Sequence, residues 1–165
     1  MIFWFRFTGI LLAAAVIYGS GPAQDRTAAL RSRFVSEADP VHKAKLLSQL
    51  SDSEFHDMQA LITAGNLSDA SPIASQMADE AESAVKALDA KGRDPEKHPD
   101  GYKQLEFSVR GSLRRLNDIL VGFAADDQQP FLAARNRLED IEHHVIRELF
   151  PHRPDQAPAP AAPKS

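Results

Sequence analysis

Between residues 102 and 123 apolar side chains return at Tyr102, Leu105, Val109, Leu113, Leu116, Leu120 and Phe123, in steps of three and four. Only a helix places such steps on one side; a strand would scatter them over both faces. Three further stretches repeat the pattern. Residues 40–64 carry Ala44, Leu47, Phe55, Met58 and Ile62, widened by Leu50 and Leu61. Residues 69–90 carry Ala70, Ile73, Met77, Ala81, Ala84 and Leu88, and residues 130–150 carry Phe131, Ala134, Leu138, Ile141, Val145 and Leu149. A shorter segment, 27–36, offers Leu30 and Phe34. Signals for β-structure are nearly absent, and the apolar stripes can be buried only against one another.

The punctuation between the stripes has the same meaning. Asp39-Pro40 supplies an N-cap and a proline at the first helical position. Gly65-Asn66 and Gly92 tolerate the left-handed geometry that ends a helix. Ser68, Asp69 or Ser71 is placed to cap the helix that follows, Asp100 the next, and Gln129-Pro130 opens the last. Short connections make successive helices antiparallel. The expected fold is all-α: an up-down four-helix bundle over residues 39–150, with a short helix within 24–38 packed across it. From Pro151 the chain becomes PHRPDQAPAPAAPKS, a Pro/Ala-rich composition expected to stay extended over 151–165.

Residues 1–23 read as a secretory signal peptide. One early basic residue, Arg6, precedes an apolar run from Phe7 to Tyr18, and Gly21-Pro22-Ala23 closes it with small residues. The run falls short of the roughly 20 apolar residues of a straight transmembrane helix. Cleavage is expected near Ala23–Gln24, with export to the periplasm or the extracellular space. The alternative is an uncleaved N-terminal anchor, and only then would the chain contact a membrane.

Without Arg6, 18 of the 19 basic residues remain against 23 acidic ones, a net charge of −5. That balance argues against nucleic-acid binding, which needs a basic stripe to displace counterions. The chain has no cysteine, which excludes disulfide scaffolds, thiolate metal sites and thiol enzymes. No Gly-rich phosphate loop, G-x-S-x-G elbow or H-E-x-x-H motif occurs. No catalytic residue, cofactor site or metal site is therefore assigned, and the chain is read as no enzyme.

His143 and His144 stand four residues after Glu139 and Asp140. Leu138, Ile141 and Val145 turn both histidines to the flanks, so they read as solvated acid–histidine pairs rather than metal ligands. The connection from Lys91 to Gly101 carries both charges, two prolines and a histidine, and reads as a capped corner. The third stripe has a more informative reverse side. Phe107, Gly111 and Asp118 fall opposite the core residues, with Arg110, Arg114 and Val121 alongside. Glycine within a helix costs about 1 kcal/mol relative to alanine, so another backbone is expected to come close to Gly111. The nearest candidate is the chain's own first helix, through Leu30 and Phe34; a partner protein is the second. Phe107, Arg110, Gly111 and Arg114 are the candidate interaction surface.

Two resemblances accompany this reading. The turn Ala64-Gly65-Asn66-Leu67-Ser68-Asp69-Ala70 resembles the mid-repeat turn of tetratricopeptide repeats. Met58 and Ala74 depart from that pattern and no second copy exists, so groove binding of peptides is not carried over. The span 39–154 is similar to a set of uncharacterised exported bacterial helical proteins, through Asp39-Pro-Val-His-Lys-Ala-Lys, Gly92-Arg-Asp-Pro-Glu-Lys-His-Pro, Leu113-Arg-Arg-Leu and Leu149-Phe-Pro. The likeness implies export and a helical fold, and no activity. Two functions follow as expectations. The first is a non-enzymatic interaction or scaffold module of the cell envelope whose partner is an unknown envelope protein. The second is a periplasmic bundle that binds a metal or a small molecule.

Overall fold

A computed structural model of the chain describes residues 22–92 and 94–151. It is all-helical, with α1 (Pro22–Ser36), α2 (Pro40–Thr63), α3 (Leu67–Ala90), α4 (Asp100–Val121) and α5 (Ala125–Leu149), and no strand among the described residues. The expected signal segment up to residue 21 and the tail from residue 152 lie outside the described residues. No described helix is long and apolar enough to cross a membrane.

The helix ends follow local chemistry. Asp39 caps α2, its side chain accepting from the His42 amide at 2.9 Å, with Pro40 in the first position. Gly65 and Gly92 take φ of 76° and 61° in the turns that follow α2 and α3. Four starts differ from the sequence expectation. The helix α1 begins at Pro22, ahead of residue 27 and within the segment 1–23 expected as a signal peptide. The helix α3 begins at Leu67 with Asn66 as its N-cap, ahead of Ser68, Asp69 and Ser71. The helix α4 begins at Asp100 itself, so Asp100 sits in the first turn rather than at the cap. The helix α5 begins at Ala125 and takes Pro130 inside it. Asp126 and Asp127 in that added first turn face the positive end of the helix dipole, which favours the earlier start.

Every apolar residue expected on the stripes of α4 and α5 is buried, except Phe123, which is partly covered. On α2, Phe55, Leu61 and Ile62 only pack against the edge of the core, and Leu46 is buried in addition. On α3 Ala74, Ala78 and Val85 are buried in addition to the expected stripe, while Ile73 only packs against the edge of the core. Small residues let several neighbours approach one helix. Accordingly α2 packs against α3 and α4, and α5 against the same two helices, while α1 lies on α2. The helices joined by the longest connection, α3 and α4, meet least. The fold is thus a helical bundle of four long helices with α1 added on the outside of α2.

Candidate functional site

Two places in this bundle bury polar side chains, and both involve α2. The first lies under α1. Arg31 reaches down to Glu54 on α2, with Nη2 2.5 Å from Oε1, and to Glu80 on α3, with Nε 3.1 Å from Oε1. Glu54 is fully buried and Glu80 nearly so. Burial first, and the neighbouring Glu80 second, push the Glu54 carboxyl from its ordinary 4.5 up to about 8, against the pull of Arg31. Burial also raises Glu80. The second oxygen of each carboxyl is sealed from solvent with no ordinary donor in reach. The two carboxyls hydrogen-bond each other, which requires a proton on one of them, and Arg31 binds both. Beside it Thr27 donates to Asp57 Oδ2 at 2.6 Å and lies 2.7 Å from the Ser53 hydroxyl. Lys43 covers the Phe34 ring at 4.7 Å.

The sequence carried a signal for this cluster that the apolar reading passed over. Glu54 stands four residues after Leu50 and four before Met58, and Glu80 three after Met77 and four before Ala84. Acids at stripe positions require a partner, and the half-buried Arg31, flanked by Leu30 and Phe34, supplies one. Between α1 and α3 an open furrow of about 630 Å3 runs past Arg31, Glu80, Ser71, Ser75 and the exposed Val35. Its charged walls are already engaged with each other.

The second place is a groove of about 220 Å3 between α2 and α4. It gathers all four residues of the expected interaction surface, Phe107, Arg110, Gly111 and Arg114, together with Arg115, Asp52 and four serines. Phe107 is 70 % exposed. A Cβ added at Gly111 would meet nothing within 4 Å. The helix α1 lies on α2 and does not reach α4, so the expected covering of Gly111 by Leu30 and Phe34 is absent; those two side chains are buried in the core under α1. The reason is Arg31, which ties α1 to the α2–α3 side through Glu54 and Glu80.

The floor of the groove is unusual for its hydroxyls. Ser51, Ser108 and Ser112 are 6–7 % exposed. They make no side-chain hydrogen bond among the described residues, and none is sealed from the groove they line. Buried hydroxyls are normally paired. At the rim Arg115 binds Asp52 at 2.5 Å and lies over the Phe55 ring. Arg110 pairs with Glu106 and, at 3.2 Å, with Glu142. Arg114 is exposed and makes no ion pair among the described residues.

The histidines go elsewhere. His144 Nε2 lies 3.1 Å from Asp89 on α3, not on Asp140, and Asp89 also accepts from the Tyr102 hydroxyl at 2.8 Å. Burial and that carboxylate hold the Tyr102 phenol above its usual range. Glu139 is taken by Arg135 at 2.6 Å rather than by His143. No group of three or more potential metal-binding side chains occurs among the described residues.

Comparison of the chain with family models, with curated proteins and with solved structures finds no match.

Proposed function

We propose that the chain is an exported, non-enzymatic interaction module of the cell envelope, and that its α2–α4 groove is the surface that meets a partner protein. The observation that carries this reading is the groove floor: three largely covered serines whose hydroxyls open into the groove and make no hydrogen bond among the described residues, beside an exposed Phe107 and an open Gly111. Hydroxyls open to a groove are met by water in the free chain and can exchange that water for a partner's polar groups.

In the same proposal the long helices alternate in direction along the chain. Lys91 at the end of α3 binds Asp39 at the head of α2, and Arg110 binds Glu142 while Arg135 binds Asn117. These pairings support antiparallel α2/α3 and α4/α5. Pairing of Arg137 with Asp79 and Glu82, and of His144 with Asp89, supports α3 and α5 side by side in the same direction. Two hairpins laid flank to flank would make the α2–α4 groove a seam between them. Proximity crosslinking of the chain in its native envelope, read by mass spectrometry, tests the module. Adducts concentrated on Lys103 and the α4 face are expected; adducts from every face alike would refute it.

The second reading, a small-molecule binder, rests on the furrow between α1 and α3, whose volume falls within the roughly 300–1,000 Å3 of ligand clefts. A thermal-shift screen of metals and metabolites, repeated on Glu80→Gln, tests it. A hit lost in the variant would favour this reading over the module.

A further inference from the structure

We infer that the α2–α4 groove takes an acidic polypeptide segment, one carboxylate of which enters between the Ser108 and Ser112 hydroxyls and Arg114 while an apolar neighbour covers Phe107. This rests on the interaction-module reading and names the chemistry of its partner. Three features of the groove converge on it. Its volume, about 220 Å3, is below the usual small-molecule cleft of roughly 300–1,000 Å3 and suits a side chain delivered by a larger partner. Of its three guanidiniums Arg110 is engaged with Glu106 and Glu142 and Arg115 with Asp52, which leaves Arg114 as the cation open to a partner, on a chain whose formal net charge is −4. The guanidinium of Arg114 has no ion-pair partner, and the hydroxyls of Ser51, Ser108 and Ser112 have no hydrogen-bond partner.

An ionised carboxylate is an acceptor only, with sites for several donors. The serine hydroxyls can donate and the free guanidinium of Arg114 can only donate, and charge-assisted bonds of this kind are the strong ones. Phe107 supplies the aromatic anchor that such contacts commonly centre on. Gly111, with open space where a Cβ would stand, lets the incoming backbone approach α4.

The test uses a dye-labelled peptide of alternating glutamate and leucine, and its glutamine–leucine counterpart, titrated against the full chain by fluorescence anisotropy. The glutamate peptide is expected to bind at least about tenfold more tightly than the glutamine peptide, and to weaken as salt rises toward about 0.3 M. Arg114→Ala and Phe107→Ala should each weaken it severalfold. Gly111→Leu, which fills open space on a helix and leaves the core untouched, should abolish binding without lowering the melting temperature. Arg137→Ala, an equal loss of charge on the α3–α5 side, should have no effect. Equal binding of the two peptides, or binding indifferent to Gly111→Leu, would overturn the inference. So would displacement of the peptide by inorganic phosphate, which would make the groove an oxyanion site instead. An envelope partner crosslinked to the α4 face but insensitive to Arg114→Ala would leave the module standing and sink the acidic partner; no partner on any face would sink the module itself.

Discussion

Helix α2 buries polar groups on two sides and treats them in opposite ways. Toward α1 and α3 it places Glu54, which meets Arg31 and Glu80 in a closed set of partners. Toward α4 it places Ser48 and Ser51, which meet further serines and an open groove. A buried charge has no choice in the matter, since leaving it unpaired in low dielectric is costly enough to unfold a small domain. A buried hydroxyl is cheaper, so it can be left for another molecule to complete. The difference separates what holds the bundle together from what it offers outward.

The largest effect that would break the comparison is at the closed site. Arg31→Ala strands two buried carboxyls, and chemical denaturation should show a loss of about 3–5 kcal/mol, toward the lower end because Glu54 can take up a proton. The triple replacement Arg31→Met, Glu54→Leu and Glu80→Leu should recover most of that loss, as an apolar substitute for a buried ionic set often does. If Arg31→Ala were silent, the trio would not be holding α1.

Next comes the pH dependence. Unfolded, Glu54 ionises near 4.5; folded, near 8. Between those values the folded chain holds more protons than the unfolded chain, so stability from this group is full below about pH 4.5 and is lost as pH rises through about 8. Glu80, raised in the same direction, adds to the slope. Denaturation midpoints should therefore fall from about pH 5 to about pH 9, and Glu54→Gln should flatten much of that fall. A rising curve over that range would contradict the shared proton.

A smaller pair of changes sharpens the contrast directly. Thr27→Val removes a hydroxyl bonded to Asp57 and should cost about 1 kcal/mol, whereas Ser108→Ala or Ser112→Ala removes a hydroxyl without a partner and should be neutral or slightly stabilising. Of similar size and opposite sign to Thr27→Val is Gly111→Ala, expected to raise stability by up to about 1 kcal/mol because the position is helical and open. Melting curves on the four variants decide both.

Much of this was legible in the sequence because periodicity reports burial. The stripes of α4 and α5 came through almost intact, and Phe107 and Arg114 were placed outward by the same count. Helix starts were less legible: Ala125 begins α5 without a capping side chain, and nothing local marks it except Asp126 and Asp127. The location of α1 was not legible, because it is decided by Arg31 finding Glu54 and Glu80, residues 23 and 49 positions away. Periodicity records that a residue faces inward and is silent on which residue it meets. For the same reason Gly111 reads as outward-facing, but the first of its two expected neighbours, α1, does not reach it, and nothing in the chain comes within 4 Å of a Cβ there. The serine floor was invisible for a further reason: a serine on a helix flank has no sequence mark that separates solvent from groove.

The most direct measurement is site-specific photo-crosslinking in cells that express the chain natively. A photo-reactive amino acid would replace Phe107 in the α2–α4 groove or, in a parallel strain, Val35 beside the furrow of the closed site. Both positions are well exposed, 70 % and 69 %, so accessibility does not bias the result. The account predicts one discrete adduct from position 107, abolished by Gly111→Leu and matched by none at position 35. Equal capture at the two positions, or an adduct at 107 that survives Gly111→Leu, would contradict it.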